Sequence, residues 1–249
     1  MIYLLLATAT LLTSLISGVL SMAGGMILMG VFGFFLSVPA AMVLHGIAQA
    51  FSNGSRVFLY RQHIKWAVLI TYTIGSLLVL LVFVVLTFIP SIGLVFLLIG
   101  CFPFLALVLP KSINLDMERP IVALLCGIMV TTAQMLAGAS GPVLDIFYVQ
   151  STMTREEILG TKAVTQTLGH ILKLFYYGVV LSTVLNVVSN EVPLWVFPVV
   201  VIAAILGNYM GSFIVTKMTD NQFKSIGRRV IMVIGVIYII KGMMVLAGL

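Results

Sequence analysis

Long apolar segments separated by short polar loops run along almost the whole chain. Each contains about 20 residues, the length that a helix needs to cross about 30 Å of hydrocarbon. They cover residues 3–21, 40–60, 66–88, 92–109, 120–137, 156–181, 194–216 and 226–246. This pattern predicts an all-α polytopic membrane protein.

Two shorter apolar arms, residues 26–36 and 142–151, are too short to cross a bilayer. Each follows a glycine-bearing break, SMAGGM from Ser21 and GASGP from Gly138. Helix interiors disfavour glycine by about 1 kcal/mol and proline by about 3 kcal/mol, so we expect the chain to unwind there. Each arm would then form a re-entrant hairpin with the long helix before it. The alternative is that these glycines only permit close helix packing.

The basic residues indicate which loops face the cytoplasm, because positively charged loops stay inside. They collect within residues 61–65, 111–119 and 217–229, whereas 86–93 carries no charge and 186–193 carries only Glu191. With the basic loops inside, the amino terminus, the return of the first hairpin near Pro39 and the carboxyl terminus all lie outside. Six full spans and two hairpins result.

An internal repeat relates the two halves of the chain at an offset of 117 residues. It matches Gly24 with Gly141, Gln49 with Gln166, Phe58 with Phe175 and Tyr60 with Tyr177. We assign residues 1–110 to a first repeat, 111–119 to a cytoplasmic linker and 120–249 to a second repeat of one membrane domain. Each repeat would hold one broken hairpin and three transmembrane helices, and the odd number of crossings predicts two inverted repeats. A parallel repeat in an eight-helix bundle is the alternative, if each hairpin crosses fully.

The same offset aligns two polar helix faces. The residues are His45, Gln49, Asn53 and Arg56 in the first half, and Lys162, Gln166, His170 and Lys173 in the second. Spacings of four, four and three place each set on one side of a helix. Polar groups that face lipid would cost several kcal/mol each, so both faces should point into the protein or into a wet cavity. At 1.5 Å per residue, Gln49 and Gln166 each lie about 15 Å deep, near the bilayer centre.

The breaks and the polar faces together predict an anion site at the midplane. Half-helices that begin after the breaks would present free backbone amides and positive dipole ends, which hold oxyanions without a full countercharge. The predicted substrate-binding residues are Ser21, Gly24, Gly25, Gln49, Asn53, Arg56, Ser140, Gly141, Gln166, His170 and Lys173. For the two glutamines, hydrogen bonding between helices is an equal alternative.

The cationic residues differ in their expected depth. Arg56 is close to a helix end, where snorkelling to the cytoplasmic interface is favoured over direct contact with a ligand. His45 and Lys162 lie close to helix starts, so we expect both at the interface. Lys173 lies deeper, which favours a functional role.

Asp145 is the only acidic residue well inside an apolar arm, and it is the candidate for proton coupling. It would act as a proton carrier or as an ion-pair partner of Lys162 or Lys173, and a purely structural pair is a further alternative. His170 either relays protons or has a hydrogen-bonded structural role. An intramembrane enzyme is not expected, because Asp145 has no acidic partner within a helix and no zinc-binding spacing occurs.

The composition supports a membrane protein and limits the kinds of binding partner that we expect. Hydrophobic residues make up 61% of the chain, charged residues 8%, and the mean hydropathy is +1.24. The net charge of +6 comes from basic residues scattered among apolar runs, which fits lipid topology better than nucleic-acid binding. The expected partners are the bilayer and a small anion, with no nucleic acid, no cofactor and no metal. The sequence leaves a homodimer open.

Two stretches carry a resemblance to a known family. The clearer is GASGP followed by GTKAVTQTLGHILKLFYYG from Gly160, and the weaker is SGVLSMAGGM followed by HGIAQAFSNGSRVFLYRQHIKW. Over nearly its whole length the chain resembles the sulfite exporter TauE/SafE family. The first break departs from the usual GGG and following proline, with Met26, Met29 and Gly30 in that region. The resemblance implies a membrane carrier for sulfite, sulfonates or other small sulfur-containing anions.

Taken together, these observations predict a secondary transporter that moves a small anion, such as sulfite or an organosulfonate, by alternating access. We expect a multi-pass protein of the cytoplasmic (inner) membrane of a prokaryote. An anion channel or a non-transporting membrane sensor is the alternative, because a pore could be lined by the same polar faces.

Overall fold

Helices make up almost all of the structure. The computed structural model describes residues 1–20, 23–108, 115–148, 151–215 and 220–249. The first half holds α1 (Ile2–Leu20), α2 (Ala23–Phe35), α3 (Val38–Leu59), a 3₁₀ turn (Arg61–His63), α4 (Trp66–Leu86) and α5 (Ile92–Val108). The second half holds α6 (Pro120–Ala137), α7 (Gly141–Ile146), α8 (Arg155–Phe175), a π-helical turn (Tyr176–Val180), α9 (Ser182–Glu191), α10 (Val196–Val215) and α11 (Asp220–Leu246).

Within the described ranges, five helices are long and apolar enough to cross a membrane. They contain Ile2–Val19, Trp66–Leu86, Pro120–Ala137, Val196–Ile214 and Arg228–Leu246. This confirms the prediction of an all-α polytopic membrane protein. Helices α3 and α8 are as long but less apolar, because their polar faces lower their hydropathy. They belong to the interior, where α3 packs against α8.

Two segments differ from the sequence prediction. The second short arm was expected over residues 142–151, but α7 ends at Ile146 and turns at Phe147. The helix expected over 156–181 changes to a π-helical turn after Phe175 and ends at Leu181, whose backbone leaves the helical region at φ −92° and ψ 68°. A separate helix, α9, follows and occupies much of the region expected to be a loop.

The main helix contacts are symmetric, because exchanging the equivalent helices of the two halves gives the same set of contacts. Helix α3 contacts α8, α5 contacts α11, and the packing of α1 on α10 corresponds to that of α6 on α4. Helices α4 and α10 begin at Trp66 and Val196, an offset of 130 instead of 117, because α9 lies before α10 and has no helical counterpart before α4. This packing fits inverted repeats. The repeat boundaries and the inversion across a membrane stay predictions.

The first hairpin begins and ends at the same end of the molecule. The Tyr3 hydroxyl donates to the backbone oxygen of Glu191 at 3.0 Å. The backbone N–H of Ser37 donates to the carboxylate of the same glutamate at 2.8 Å. The start of α1 and the end of α2 therefore meet beside the end of α9.

The second hairpin opens at the opposite end. The Thr152 hydroxyl donates to the carboxylate of Glu118, so the chain after α7 returns to the start of α6. Glu118 also contributes, after Glu157, to raising the pKa of Lys65, which follows α3. Ser37 precedes α3, and the 22 residues of this helix span about 33 Å. The two hairpins therefore enter from opposite ends of α3.

Candidate functional site

The polar faces of α3 and α8 are turned towards each other inside the bundle. His45, Gln49, Asn53 and Arg56 of α3 are buried, as are Lys162, His170 and Lys173 of α8, while Gln166 is half-buried. The imidazole rings of His45 and His170 lie 5.3 Å apart between their centres. The side chains of His45, Lys162 and Arg56, which were expected at the membrane interface, are packed between helices, and their depth in a membrane stays a prediction.

A small cavity lies where the two hairpin breaks approach these faces. Of the predicted site residues, it is lined by Gly25, Gln49, Ser140, Gly141, Gln166 and His170. The lining further includes Ser17, Met26, His45, Gln134 and Ala139, which the sequence analysis did not select. The cavity has room for about one water molecule. A larger ligand therefore needs the surrounding helices to move apart.

Both glutamines of the repeat bring an unsatisfied polar atom to this region. Gln49 Nε2 and Gln166 Oε1 are buried and have no hydrogen-bond partner among the described residues. A buried polar atom without a partner costs about 1–3 kcal/mol, so such atoms in native proteins usually serve a ligand or water. The two amides line the same cavity, as their shared register in the repeat predicted.

A hydrogen-bond network fixes the orientation of His170. The Gln134 amide donates to His170 Nδ1 at 2.9 Å and to the Gly138 backbone oxygen at 2.8 Å. Its oxygen accepts a hydrogen bond from the Ser140 hydroxyl at 2.7 Å. Because both amide hydrogens are used, we assign Nδ1 as the acceptor, so that the hydrogen of neutral His170 is on Nε2. His170 is then a donor available to a ligand.

A second network ties Lys173 and His45 to both hairpins. Lys173 Nζ lies 2.9 Å from the Gly138 backbone oxygen and 2.9 Å from His45 Nδ1. His45 Nε2 lies 2.9 Å from the Gly25 backbone oxygen, a group that can only accept, so this nitrogen carries the hydrogen. His45 therefore links the lysine behind the cavity wall to the start of α2.

Arg56 and Asn53 lie beside the cavity and do not line it. The Arg56 guanidinium donates to Asn53 Oδ1 and to the Ser17 backbone oxygen, the latter at 3.5 Å. Asn53 in turn donates to the Gln49 backbone oxygen at 2.9 Å. Arg56 thus lies at the carboxyl end of α1 as Lys173 lies at that of α6, positions where a helix dipole favours cations.

The two predicted glycines of the first break have different surroundings, and Ser21 lies outside the described residues. Gly25 lines the cavity. Gly24 faces α1 instead, since a Cβ there would lie 1.9 Å from the Thr13 backbone oxygen. The packing interpretation therefore applies to Gly24, while Gly25 and Gly141 are placed at the cavity.

Asp145 is held in an ion pair and does not line the cavity. Its carboxylate accepts a hydrogen bond from Lys162 Nζ, and this ammonium also lies 6.0 Å from the centre of the Tyr148 ring. Of the alternatives for Asp145, the pairing with Lys162 is the one that the structure contains. Among the described residues, no group of three His, Cys, Asp or Glu side chains could hold a metal ion.

The sequence matches a known family over nearly its whole length. The family model described as "Sulfite exporter TauE/SafE" matches residues 6–238 of the 249. The chain belongs to this family. The TauE/SafE family consists of membrane transporters for sulfite and related sulfur-containing anions, so membership identifies the chain as a membrane transporter and fits a protein that is not an enzyme. No significant match was found among curated proteins or among solved structures.

The sequence contained a signal for two of the residues that were missed. Ser17 and Gln134 are polar, both line the cavity, and they are separated by the repeat offset of 117. In this TauE/SafE member the repeat therefore aligns a second pair of polar lining residues beside the two glutamines. His45 was considered and set aside because depth was judged from its place in α3 alone.

Proposed function

We propose that this chain is a secondary transporter that carries a small sulfur-containing anion, such as sulfite or an organosulfonate, by alternating access. The observation that carries the proposal is the cavity between the two hairpin breaks, lined by Gln49 and Gln166 with unsatisfied amide atoms. The choice of sulfur-containing anions rests on membership of the TauE/SafE family.

The chemistry of the lining favours an anion over a cation. None of the residues that line the cavity is acidic. The donors directed to it or held beside it are Gln49 Nε2, the assigned Nε2 hydrogen of His170 and the amino group of Lys173. Neutral donors, with the basic groups of Lys173 and Arg56 held beside the cavity, can bind an oxyanion without holding it too tightly for release.

Alternating access is supported by the small size of the cavity and by the arrangement of the hairpins. The cavity is too small for an oxyanion and its solvent, so binding requires an open state. The two hairpins enter from opposite ends of α3, which is the arrangement expected of inverted repeats that rock around a central site. We further propose a location in the cytoplasmic (inner) membrane of a prokaryote, with the basic loops on the cytoplasmic side. A homodimer stays a prediction.

The proposal is tested by replacing each glutamine in turn. We expect Gln49→Ala and Gln166→Ala to fold and to bind sulfite about 10–100-fold more weakly, because a hydrogen bond donated by an amide NH₂ to a charged ligand contributes about 1.5–3 kcal/mol. For Gln166 this requires the amide to rotate so that Nε2 takes the place of Oε1. Binding is measured by the rise in melting temperature of the purified protein with sulfite. The matched control is Gln62→Ala, since the Gln62 side chain is exposed and does not line the cavity. Wild-type affinity in both cavity variants would remove the glutamines from the site.

A transport assay separates the carrier from an anion channel and from a membrane sensor. In proteoliposomes a carrier gives saturable uptake of labelled sulfite and is stimulated by unlabelled sulfite on the opposite side. A channel gives current that does not saturate and shows no counterflow. Binding without any flux would identify a sensor.

A further inference from the structure

Lys173 is a fully buried basic residue whose hydrogen bonds match a neutral amine. Its Nζ contacts two acceptors, the Gly138 backbone oxygen and His45 Nδ1, both at 2.9 Å. A neutral amine has two N–H hydrogens, and both are satisfied here. An ammonium has a third, for which the described residues provide no acceptor within hydrogen-bond distance.

Within the described part of the chain, no negative charge is placed to compensate an ammonium at this position. From α3, His45 and Arg56 face the region, and His170 faces it from α8. The hydroxyls of Tyr176 and Tyr177 donate to the backbone oxygens of Phe88 and Met135, so neither is directed at the lysine. The acidic residue of α7, Asp145, is paired with Lys162. Burying a cation without a counterion is costly, and a buried lysine avoids this cost by giving up its proton.

The equivalent position in the first half is occupied by an arginine, which cannot give up its proton in this way. Arg56 corresponds to Lys173 at the offset of 117, and each lies at the carboxyl end of the first helix of a hairpin. Arginine stays protonated at all physiological pH values, whereas a buried lysine readily changes its charge. The repeat thus places one permanent and one titratable basic group at equivalent positions.

We propose that Lys173 is the proton-binding site of the transporter, and that it takes up one proton when an anion enters the cavity and returns it when the anion leaves. The inference rests on the proposed function. The proton passes from water on the side that the anion comes from to Nζ, which changes from –NH₂ to –NH₃⁺. The anion then supplies the missing negative charge, because Nζ lies one hydrogen bond behind His45 in the cavity wall. One proton therefore travels with each anion, and Asp145 is not needed for coupling.

The proposal is tested by counting protons on binding. The ligand is methanesulfonate, which keeps a charge of −1 over the pH range used, whereas sulfite itself titrates near neutral pH. Calorimetry of the purified wild type in Tris and in imidazole, neither of which is a sulfonate, gives the protons taken up from the difference in heat. We expect about one proton per anion, and an affinity that falls about tenfold for each unit of pH increase. Binding without proton uptake overturns the proposal.

Two variants assign the proton to one residue. Lys173→Arg keeps a permanent charge, so it should bind methanesulfonate with no proton uptake. His45→Asn keeps an acceptor for Lys173 but removes the imidazole, so the count should stay at about one even where affinity falls. The assignment to Lys173 is contradicted if Lys173→Arg still takes up about one proton per anion. It is also contradicted if proton uptake is lost in His45→Asn but kept in Lys173→Arg.

A transport measurement keeps the test decisive if Lys173→Arg does not fold. In wild-type proteoliposomes, an inward proton gradient should accelerate methanesulfonate uptake, and an internal pH dye should report acidification that depends on the anion. Uptake that ignores the gradient overturns the coupling and leaves the anion site intact. If neither sulfite nor methanesulfonate binds the wild type, the proposed function fails as well.

Discussion

Gly24 and Gly25 are adjacent at the start of α2, yet their Cα hydrogens face different parts of the molecule. A Cβ at Gly24 would lie 1.9 Å from the Thr13 backbone oxygen and 2.3 Å from the Ser17 hydroxyl. A Cβ at Gly25 would meet Gln49 Oε1 first, at 3.4 Å, an ordinary van der Waals distance. One glycine therefore permits the contact between α1 and α2, and the other leaves space beside the cavity.

This difference predicts opposite outcomes for two alanine substitutions. Gly24→Ala should destabilise the protein by about 1–3 kcal/mol, because the backbone of α1 has to move. Gly25→Ala should fold normally and bind sulfite more weakly, since its methyl group occupies space next to the Gln49 amide. Melting curves with and without sulfite measure both effects. The interpretation is wrong if Gly24→Ala melts like the wild type, or if Gly25→Ala binds as tightly.

At the scale of elements, the start of α8 is held against the start of α4 by charge. Thr154 and Glu157 form a capping box at the amino end of α8, and Glu157 also pairs with Lys65 at 2.8 Å. Hydrogen bonding to Lys65 lowers the pKa of the Glu157 carboxyl, and the same bond raises the pKa of Lys65. The pair thus joins the two helices that flank the basic end of the molecule.

The linkage gives a pH-dependent prediction for Glu157→Gln, which keeps an oxygen for the cap and removes the charge. Because the folded pKa of Glu157 lies below the ordinary 4.5, its contribution is present above that pH and is lost as the pH falls through the folded value. The wild type should melt slightly above the variant at pH 7, and the two curves should converge at acid pH. The gap should also shrink in 1 M salt, where the screening length is about 3 Å. A gap that is independent of pH would mean that the pair does not act through charge.

At the scale of the whole molecule, the described contacts sort the loops into two groups. Tyr3, Ser37 and Glu191 meet at one end, and Glu118, Thr152 and the loop that carries Lys65 meet at the other. The basic residues Arg61, Lys65 and Arg119 lie in the loops of the second group, as expected if this end faces the cytoplasm. Both hairpins would then return to the side from which they enter.

Labelling of single cysteines tests this topology in a background without Cys101 and Cys126. A membrane-impermeant maleimide should label Ser91→Cys and Ser189→Cys in intact cells. Arg61→Cys and Thr152→Cys should be labelled only after permeabilisation, although all four positions are exposed in the structure. If Thr152→Cys is labelled in intact cells, as Ser189→Cys is, then the second hairpin crosses the membrane.

The sequence by itself determined the all-helical membrane class, the two polar faces and the pairing of Gln49 with Gln166. These follow from hydropathy and periodicity, which are local properties of a segment because each residue's transfer free energy depends little on distant partners. Because the two halves are repeats, a feature predicted in one half also predicted its counterpart in the other. The apolar pattern predicted too long an arm for α7, and the repeat offset of 117 no longer holds after α8, where α9 precedes α10.

Only the tertiary structure decided which polar groups meet. The acceptors of Lys173 belong to Gly138 and His45, which lie 35 and 128 residues away in the sequence. Asp145 pairs with Lys162 on another helix. Such pairings depend on the rotation and height of each helix relative to its neighbours, which packing between helices sets. A rotation of about 100° between successive residues is enough to place Gly24 against α1 and Gly25 at the cavity.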